Sequence, residues 1–312
     1  MHVLVVVPTP ADFDERVKRI VIDVEIVHTT PGKDGYDEAL TQSSIILGRP
    51  PVVDVPRAAV LRWLQLSSAG ANDYVGKIPT DITLTTASGV YGIPASEHAI
   101  AMMLALTRSI HKSARDQVDK RWDPSGDYRE LHGTTCGLLG LGDIGMAVAQ
   151  RVRAFGMRVL AARRNPDGMP DGVDEVFGVD RLDEMLGRCD HVVNTLPETV
   201  STRKILNEKR LRAMKKGSFL YNVGRGTTVD QNALVEMLSA GHLGGAGLDV
   251  FEEEPLPKES RLWGMANVII TPHAGGSSPH EDERVAAVFL ENLQRFVRKE
   301  PLQNVVDHDI GY

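Results

Sequence analysis

Three short apolar runs in this chain end in residues that could do chemistry together. Arg225 lies between glycines in NVGRG (222–226). Glu254 closes DVFEEEP (249–255) before Pro255, and His273 stands in TPHAGG (271–276) between Pro272 and a glycine pair. Singly, each has a plain reading: a surface turn arginine, one of three solvated acids, a packed or exposed histidine. Together they supply an anion clamp, a carboxylate and a titratable imidazole. Each falls at or just beyond the carboxyl end of a predicted strand, which is where open α/β sheets bind their ligands.

A second constellation points to phosphate. Gly140-Leu141-Gly142-Asp143-Ile144-Gly145 follows the apolar run CGLLG and opens a helical pattern with apolar residues at Ile144, Val148 and Val152. In this setting Gly140 permits the tight turn, Gly142 lets a pyrophosphate approach the backbone, and Gly145 lets helix and strand pack closely. The N–H groups of the helix N-terminus then face the phosphates. The next strand, RVLAA (158–162), should end in an acid about 20 positions on, to bind the ribose diol. Arg163 and Arg164 stand there instead, with 163 − 145 = 18. Guanidinium pairs with a 2′-phosphate through charge-assisted hydrogen bonds. NADP(H) is therefore expected over NAD(H), with NAD(H) still open. The spacing favours Arg163 as the residue replacing the acid, although both arginines could clamp the phosphate.

The elements that must position these residues alternate between short β-like runs and helix-length segments. HVLVVVP (2–8), VEIVH (24–28), SIILG (44–48), LQLSS (64–68) and ITLTT (82–86) form a first block. A long helix is predicted from Pro94 through RSIHKSARDQVDKRW, with apolar residues at Ile100, Met103, Leu104, Leu106 and Ile110. The second block holds TTCGLLGLG (134–142), RVLAA, HVVNTLP (191–197), SFLYNVG (218–224), AGLDVF (246–251) and NVIITPH (267–273). One more amphipathic helix is expected over 280–299. It could dock on either block, and a return to the first is preferred. The pattern reads as α/β, with parallel sheets in two blocks.

The chain has 312 residues, enough for two medium domains. Its formal net charge of −7 argues against nucleic acid or an anionic membrane surface as main partner. No apolar run approaches the roughly 20 residues that span a bilayer. MHVLVVVPTP has no basic n-region and reads as a strand, not a signal peptide. The two cysteines, Cys136 and Cys189, fit no metal spacing and no disulfide framework, so no metal and a cytoplasmic setting are expected.

GLGDIG, NTLPET (194–199), NVGRG, GLDVFEEEPLP (247–257) and ITPHAGG (270–276), in this order, resemble the D-isomer-specific 2-hydroxyacid dehydrogenase family, with its glyoxylate and hydroxypyruvate reductases. The resemblance runs over essentially the whole length. It implies two doubly wound α/β domains, with a Rossmann NAD(P)-binding domain (91–277) inserted in a flavodoxin-like substrate domain (1–90 and 278–312). It implies hydride transfer between a nicotinamide cofactor and a small 2-keto or 2-hydroxy acid, and a homodimer.

By that resemblance His273 is the general acid/base, Glu254 pairs with it and fixes its tautomer, and Arg225 binds the substrate carboxylate. The loop SSAGANDY (67–74) would present Ala69 and Gly70 to that carboxylate. The cofactor would lie along Gly140, Gly142, Asp143, Ile144, Gly145, Arg163 and Arg164. Thr195 and Pro197 would line its adenosine side, and Val223, Asp249 and Gly275 would also touch it, Asp249 at the carboxamide. Ser-Glu-His at 96–98 matches the family's usual domain connection, while Glu252 and Glu253 read as a solvated turn. Two other readings stay open: a corepressor-like protein that only senses the dinucleotide, and a dehydrogenase of formate or phosphite type.

Overall fold

Two parallel sheets, each covered on both faces, organise the chain. The computed structural model describes residues 1–308, 310 and 311. Contacts divide it into Met1–Tyr91 with Ser278–Tyr312, and Gly92–Ser277.

The first unit contains β1 (His2–Val5), α1 (Phe13–Ile20), β2 (Glu25–His28), α2 (Tyr36–Gln42), β3 (Ile45–Leu47), β4 (Trp63–Gln65) and β5 (Thr83–Thr85). Its strands pair in parallel in the order β2-β1-β3-β4-β5, the flavodoxin-like order. Side chains alternate across a strand, so each strand feeds two cores. Leu4, Ile46, Leu64 and Leu84 meet Tyr36, Leu40 and Tyr74 on one face. Val3, Val5, Ile45, Leu47 and Trp63 meet Phe13, Val17 and Phe289 on the other. Phe289 belongs to the helix Glu281–Arg298, and its ring stacks on Trp63 at 5.1 Å. Burying each such side chain contributes about 1.5–3 kcal/mol. Asn292 of the same helix donates to the buried Gln65 Oε1 at 3.1 Å, which ties the helix to this sheet by a polar bond as well.

The second unit begins with α3 (Gly92–Thr107) and α4 (Ile110–Val118). It continues with β6 (Thr135–Leu139), α5 (Asp143–Ala154), β7 (Arg158–Ala162), β8 (Glu175–Phe177), α6 (Leu182–Leu186) and β9 (His191–Asn194). It ends with α7 (Glu208–Ala213), β10 (Phe219–Asn222), α8 (Gln231–Ser239), β11 (Gly245–Leu248) and β12 (Val268–Ile270). The sheet order is β12-β11-β10-β9-β6-β7-β8. The chain runs outward from β6 in one direction, then restarts at β9 on the other side. The crevice between these two directions, beyond the carboxyl ends of β6 and β9, is the ligand-binding position of such a sheet. Register then does the alignment. Leu139 pairs Asn194, Asn194 pairs Asn222, Asn222 pairs Leu248 and Leu248 pairs Ile270. The turns after β6, β9, β10, β11 and β12 therefore all leave this sheet at one edge.

The single long helix expected from Pro94 is instead two. Ser109 takes a left-handed conformation (φ 53°) between α3 and α4. The Thr107 carbonyl, which a continuous helix would offer to His111, accepts the Arg129 N–H at 2.8 Å. The Ser109 hydroxyl donates to the Asp127 carbonyl. β8 was not expected from the sequence. Among the described residues no helix is long and apolar enough to cross a membrane.

Candidate active site and dinucleotide cradle

The Arg225 turn is built from two glycines that lie against backbone. A Cβ on Gly224 would come within 2.7 Å of the Leu196 carbonyl oxygen, and one on Gly226 within 1.9 Å of Phe251. Between them Arg225 is extended (φ −137°, ψ 140°) and half-buried. Its Nη1 donates to the Gly224 carbonyl at 2.8 Å. Its own carbonyl accepts from Asn222 Nδ2 at 3.1 Å and from the Thr228 hydroxyl at 2.5 Å. Asn194 Nδ2 in turn donates to Asn222 Oδ1 at 2.9 Å and to Thr228 Oγ1 at 2.6 Å. These three polar residues are buried, and sequence reasoning missed them. The available signal was a polar residue closing each apolar strand, where burial is tolerated only with a full set of partners.

Glu254 and His273 form the second half. Glu254 accepts the Phe251 N–H through Oε1 at 3.0 Å, which leaves Oε2 to reach His273 Nδ1 at 2.7 Å. A carboxylate can only accept here, so Nδ1 carries the hydrogen and Nε2 is the nitrogen that gains or loses a proton. The pair is partly open to solvent, at 49% and 36% side-chain exposure, as proton exchange with a ligand requires. His273 itself is left-handed (φ 52°), a conformation that costs a non-glycine residue roughly 1–3 kcal/mol.

Other sequence candidates of the second unit fall around this edge, and the loop of Ala69 and Gly70 belongs to the first unit. Asp249 is buried, and its carboxylate accepts the Ala274 and Gly275 N–H groups, both at 2.9 Å. Thr195 anchors its hydroxyl on the Leu139 carbonyl at 2.9 Å, and Pro197 accepts from the Thr202 hydroxyl. Val223 is buried. Glu252, read from the sequence as part of a solvated turn, is not one: it accepts the Gln231 N–H at the start of α8 and pairs with Lys204 at 3.3 Å. In the first unit Ala69 is exposed and Gly70 half-buried, with the Ser68 hydroxyl closing their loop onto the Gly70 carbonyl at 2.8 Å.

The glycine turn fits a dinucleotide. Gly140 is left-handed (φ 93°), and a Cβ on Gly145 would lie 2.2 Å from the Gly140 carbonyl oxygen. Helix α5 can start this close to β6 only with glycine there. Around Gly142, by contrast, a Cβ would meet nothing within 4 Å. That open side faces a helix start with no side-chain cap, so the backbone N–H groups of Asp143, Ile144 and Gly145 suit an anion. Asp143 turns its carboxylate toward Gly92, where a methyl would lie 2.3 Å from Oδ1. After β7, Arg163 folds back: its Nη2 donates to the carbonyls of Asp167 and Gly168, and its buried Nε has no partner. Arg164 is exposed.

This is the architecture of a nicotinamide-dinucleotide oxidoreductase, and comparison with known proteins defines it further. Residues 100–275 match the D-isomer specific 2-hydroxyacid dehydrogenase, NAD binding domain. A glyoxylate reductase of Korarchaeum cryptofilum is 35% identical over 237 residues, covering 73% of this chain and 70% of its own. Two solved structures are similar over their whole length. One is a D-isomer specific 2-hydroxyacid dehydrogenase from Xanthobacter autotrophicus Py2 in complex with NADPH and MES. It shows TM-score 0.85 and 29% identity, covering 100% of this chain and 99% of that one. The other is an NADPH-dependent glyoxylate/hydroxypyruvate reductase from Sinorhizobium meliloti in complex with NADP and sulfate. It shows TM-score 0.83 and 28% identity, with the same coverage. The chain belongs to the D-isomer specific 2-hydroxyacid dehydrogenases. It is an oxidoreductase that uses a nicotinamide dinucleotide.

Proposed function

We propose that this protein reduces a small 2-keto acid, of glyoxylate or hydroxypyruvate type, to the D-2-hydroxy acid with NADPH. The observation that carries the reading is the His273 Nδ1–Glu254 Oε2 bond of 2.7 Å, which leaves His273 Nε2 as the proton-exchanging atom. When bound, the reduced nicotinamide supplies a hydride to the keto carbon. The imidazolium of His273 gives its Nε2 proton to the keto oxygen as charge builds there, and Glu254 stabilises the cationic ring before transfer. Arg225 grips the substrate carboxylate and polarises the keto oxygen, with Ala69 and Gly70 as further N–H donors to the carboxylate. In the oxidative direction the neutral imidazole takes the hydroxyl proton back.

The phosphate side of the cofactor falls to Gly140, Gly142, Asp143, Ile144 and Gly145, with Thr195, Pro197, Val223, Asp249 and Gly275 along its path. NADPH is favoured because Arg163 and Arg164 replace the acid that would repel a 2′-phosphate. The two arginines are proposed to divide the work. Arg163 braces the loop through the Asp167 and Gly168 carbonyls, and the exposed Arg164 offers its guanidinium to the phosphate. NADP-bound relatives support the choice. The proposed assembly is a homodimer. Val118 and Trp122, 81% and 98% exposed at and beyond the end of α4, offer apolar surface for it.

A panel of glyoxylate, hydroxypyruvate and 2-ketobutyrate, each with NADPH and NADH, tests the reading. Turnover with higher kcat/KM for NADPH is expected. Tight cofactor binding without turnover on any keto acid would overturn it in favour of a dinucleotide-sensing protein. Turnover of formate or phosphite instead would reassign the substrate.

A further inference from the structure

His98 lies in the second turn of α3, and the proposed reaction leaves it without a task. Its Nε2 is 2.8 Å from the Thr271 hydroxyl oxygen. That hydroxyl donates its one proton to Asp249 Oδ1 at 2.6 Å. Having spent it, Thr271 Oγ1 can only accept, so His98 must carry its hydrogen on Nε2. The imidazole also stands 3.6 Å from Asp249 Oδ1. The chain of donors therefore runs in one direction, from imidazole to hydroxyl to a carboxylate with only 4% side-chain exposure.

The far end of that chain is the His273 turn. The Asp249 carboxylate holds the N–H groups of Ala274 and Gly275, the two residues after His273. The His273 N–H reaches the carbonyls of Asp249 at 2.9 Å and Thr271 at 3.1 Å. The turn is thus gripped at three successive N–H groups, and a strained left-handed histidine persists only where its surroundings over-determine it. The ring of His98 also packs on the turn. A Cβ on Gly275 would lie 2.8 Å from Asp249 Oδ2 and 3.2 Å from His98 Cδ2. Glu254 sets the His273 ring from its Nδ1 side, and this network sets the backbone beneath it.

We propose that His98 is a positioning residue for His273, acting through Thr271 and Asp249. The proposal rests on the reading of His273 as the proton-transferring group. Removing the donor on Nε2 frees the Thr271 hydroxyl to turn away from Asp249, and the carboxylate then loses one of the bonds that hold it against the turn. The ring of His273 shifts relative to the keto oxygen. Misplacement on that scale costs kcat, by about ten- to a hundredfold, more than it costs binding.

The test compares His98→Leu, His98→Gln and Thr271→Val in the full-length protein. It reads kcat and the KM values for keto acid and NADPH, together with hydrogen exchange at the Ala274 and Gly275 amides. Gln keeps an N–H at about the reach of Nε2, so His98→Gln should recover most of the kcat that His98→Leu loses. Thr271→Val removes the hydroxyl at nearly constant shape and should reproduce the loss even where a position-98 variant fails to fold. The double variant His98→Leu/Thr271→Val should be no worse than either single one, as expected for residues acting in series. Faster amide exchange with a kcat that falls by more than the KM for NADPH rises supports the proposal. Unchanged exchange in Thr271→Val, or faster exchange with undiminished kcat, overturns it. A wild type that turns over no keto acid, while Thr271→Val still exposes the two amides, overturns the proposed reaction and leaves the hold on the turn standing.

Discussion

A Cβ on Gly226 would lie 1.9 Å from both the carbonyl carbon and the carbonyl oxygen of Phe251. The turn that carries Arg225 therefore packs backbone to backbone against the turn that carries Glu254, since Phe251 also donates its N–H to Glu254 Oε1. The proposed substrate clamp and acid–base pair are set to each other by the absence of one methyl group. Gly226→Ala should separate them. Overpacking of this kind costs about 1–3 kcal/mol, and the displaced clamp should lower kcat/KM on the order of a hundredfold. Thermal unfolding and keto-acid kinetics measure the two effects. A variant with wild-type Tm and activity would show that the two turns can part without consequence.

The imidazole and its carboxylate should be separable by kinetics. His273→Asn removes the exchanging nitrogen, and a general acid contributes about 10²–10⁴-fold to rate. Glu254→Gln keeps the shape and the Phe251 contact but no longer balances a cationic ring, so a smaller loss is expected. Cofactor affinity, read from nicotinamide fluorescence, should hardly change in either variant. Equal activity of His273→Asn and wild type would remove His273 from the reaction.

Much of this arrangement is legible in the chain because parallel strands buried on both faces read as apolar runs, and the candidate site residues sit where those runs stop. Gly140, Arg225, Glu254 and His273 could be singled out that way, each against the end of a strand. The break at Ser109 could not. It depends on an N–H from Arg129, some twenty residues on, which takes the Thr107 carbonyl. β8 escaped notice because Glu175–Phe177 is a three-residue edge strand with its first residue ion-paired to Arg188. Asn194, Asn222 and Thr228 carry no motif of their own. Their role appears only when register sets Asn194 beside Asn222.

The two arginines after β7 should fail in different ways. Arg164 is exposed, and a hydrogen bond to a charged group is worth about 1.5–3 kcal/mol. Arg164→Ala should therefore raise KM for NADPH by roughly ten- to a hundredfold, with kcat and NADH use little altered. Arg163 holds the carbonyls of Asp167 and Gly168, so Arg163→Ala should loosen the loop and weaken both cofactors. Steady-state kinetics with NADPH and NADH separates the two patterns. Equal losses with both cofactors in Arg164→Ala would show that its guanidinium does not read the 2′-phosphate.

At the opposite end of the sheet His191 is a buried histidine with a consequence for stability. It is 3% exposed, its ring stacks on Phe219 at 5.3 Å, and its Nδ1 lies 3.2 Å from the Tyr221 hydroxyl. Burial pushes its pKa down from 6.5 to about 4; Asp190 pulls it upward, while Arg129 and Lys215 add to the fall. The folded chain therefore holds this ring neutral in a range where the unfolded chain protonates it. The unfolded state binds more protons between those two values, so folding stability falls as pH falls through that window. The contribution is fully present above pH 6.5 and lost progressively toward pH 4, by roughly 3 kcal/mol. His191→Phe keeps a ring against Phe219 and removes the proton site. It should be less stable than wild type at pH 7.5, where Tyr221 loses its partner, and should lose less on acidification. Urea unfolding of both proteins from pH 7.5 to 4.5 reads this as a stability difference that narrows or reverses. Parallel curves across that range would mean that His191 takes up its proton as readily folded as unfolded.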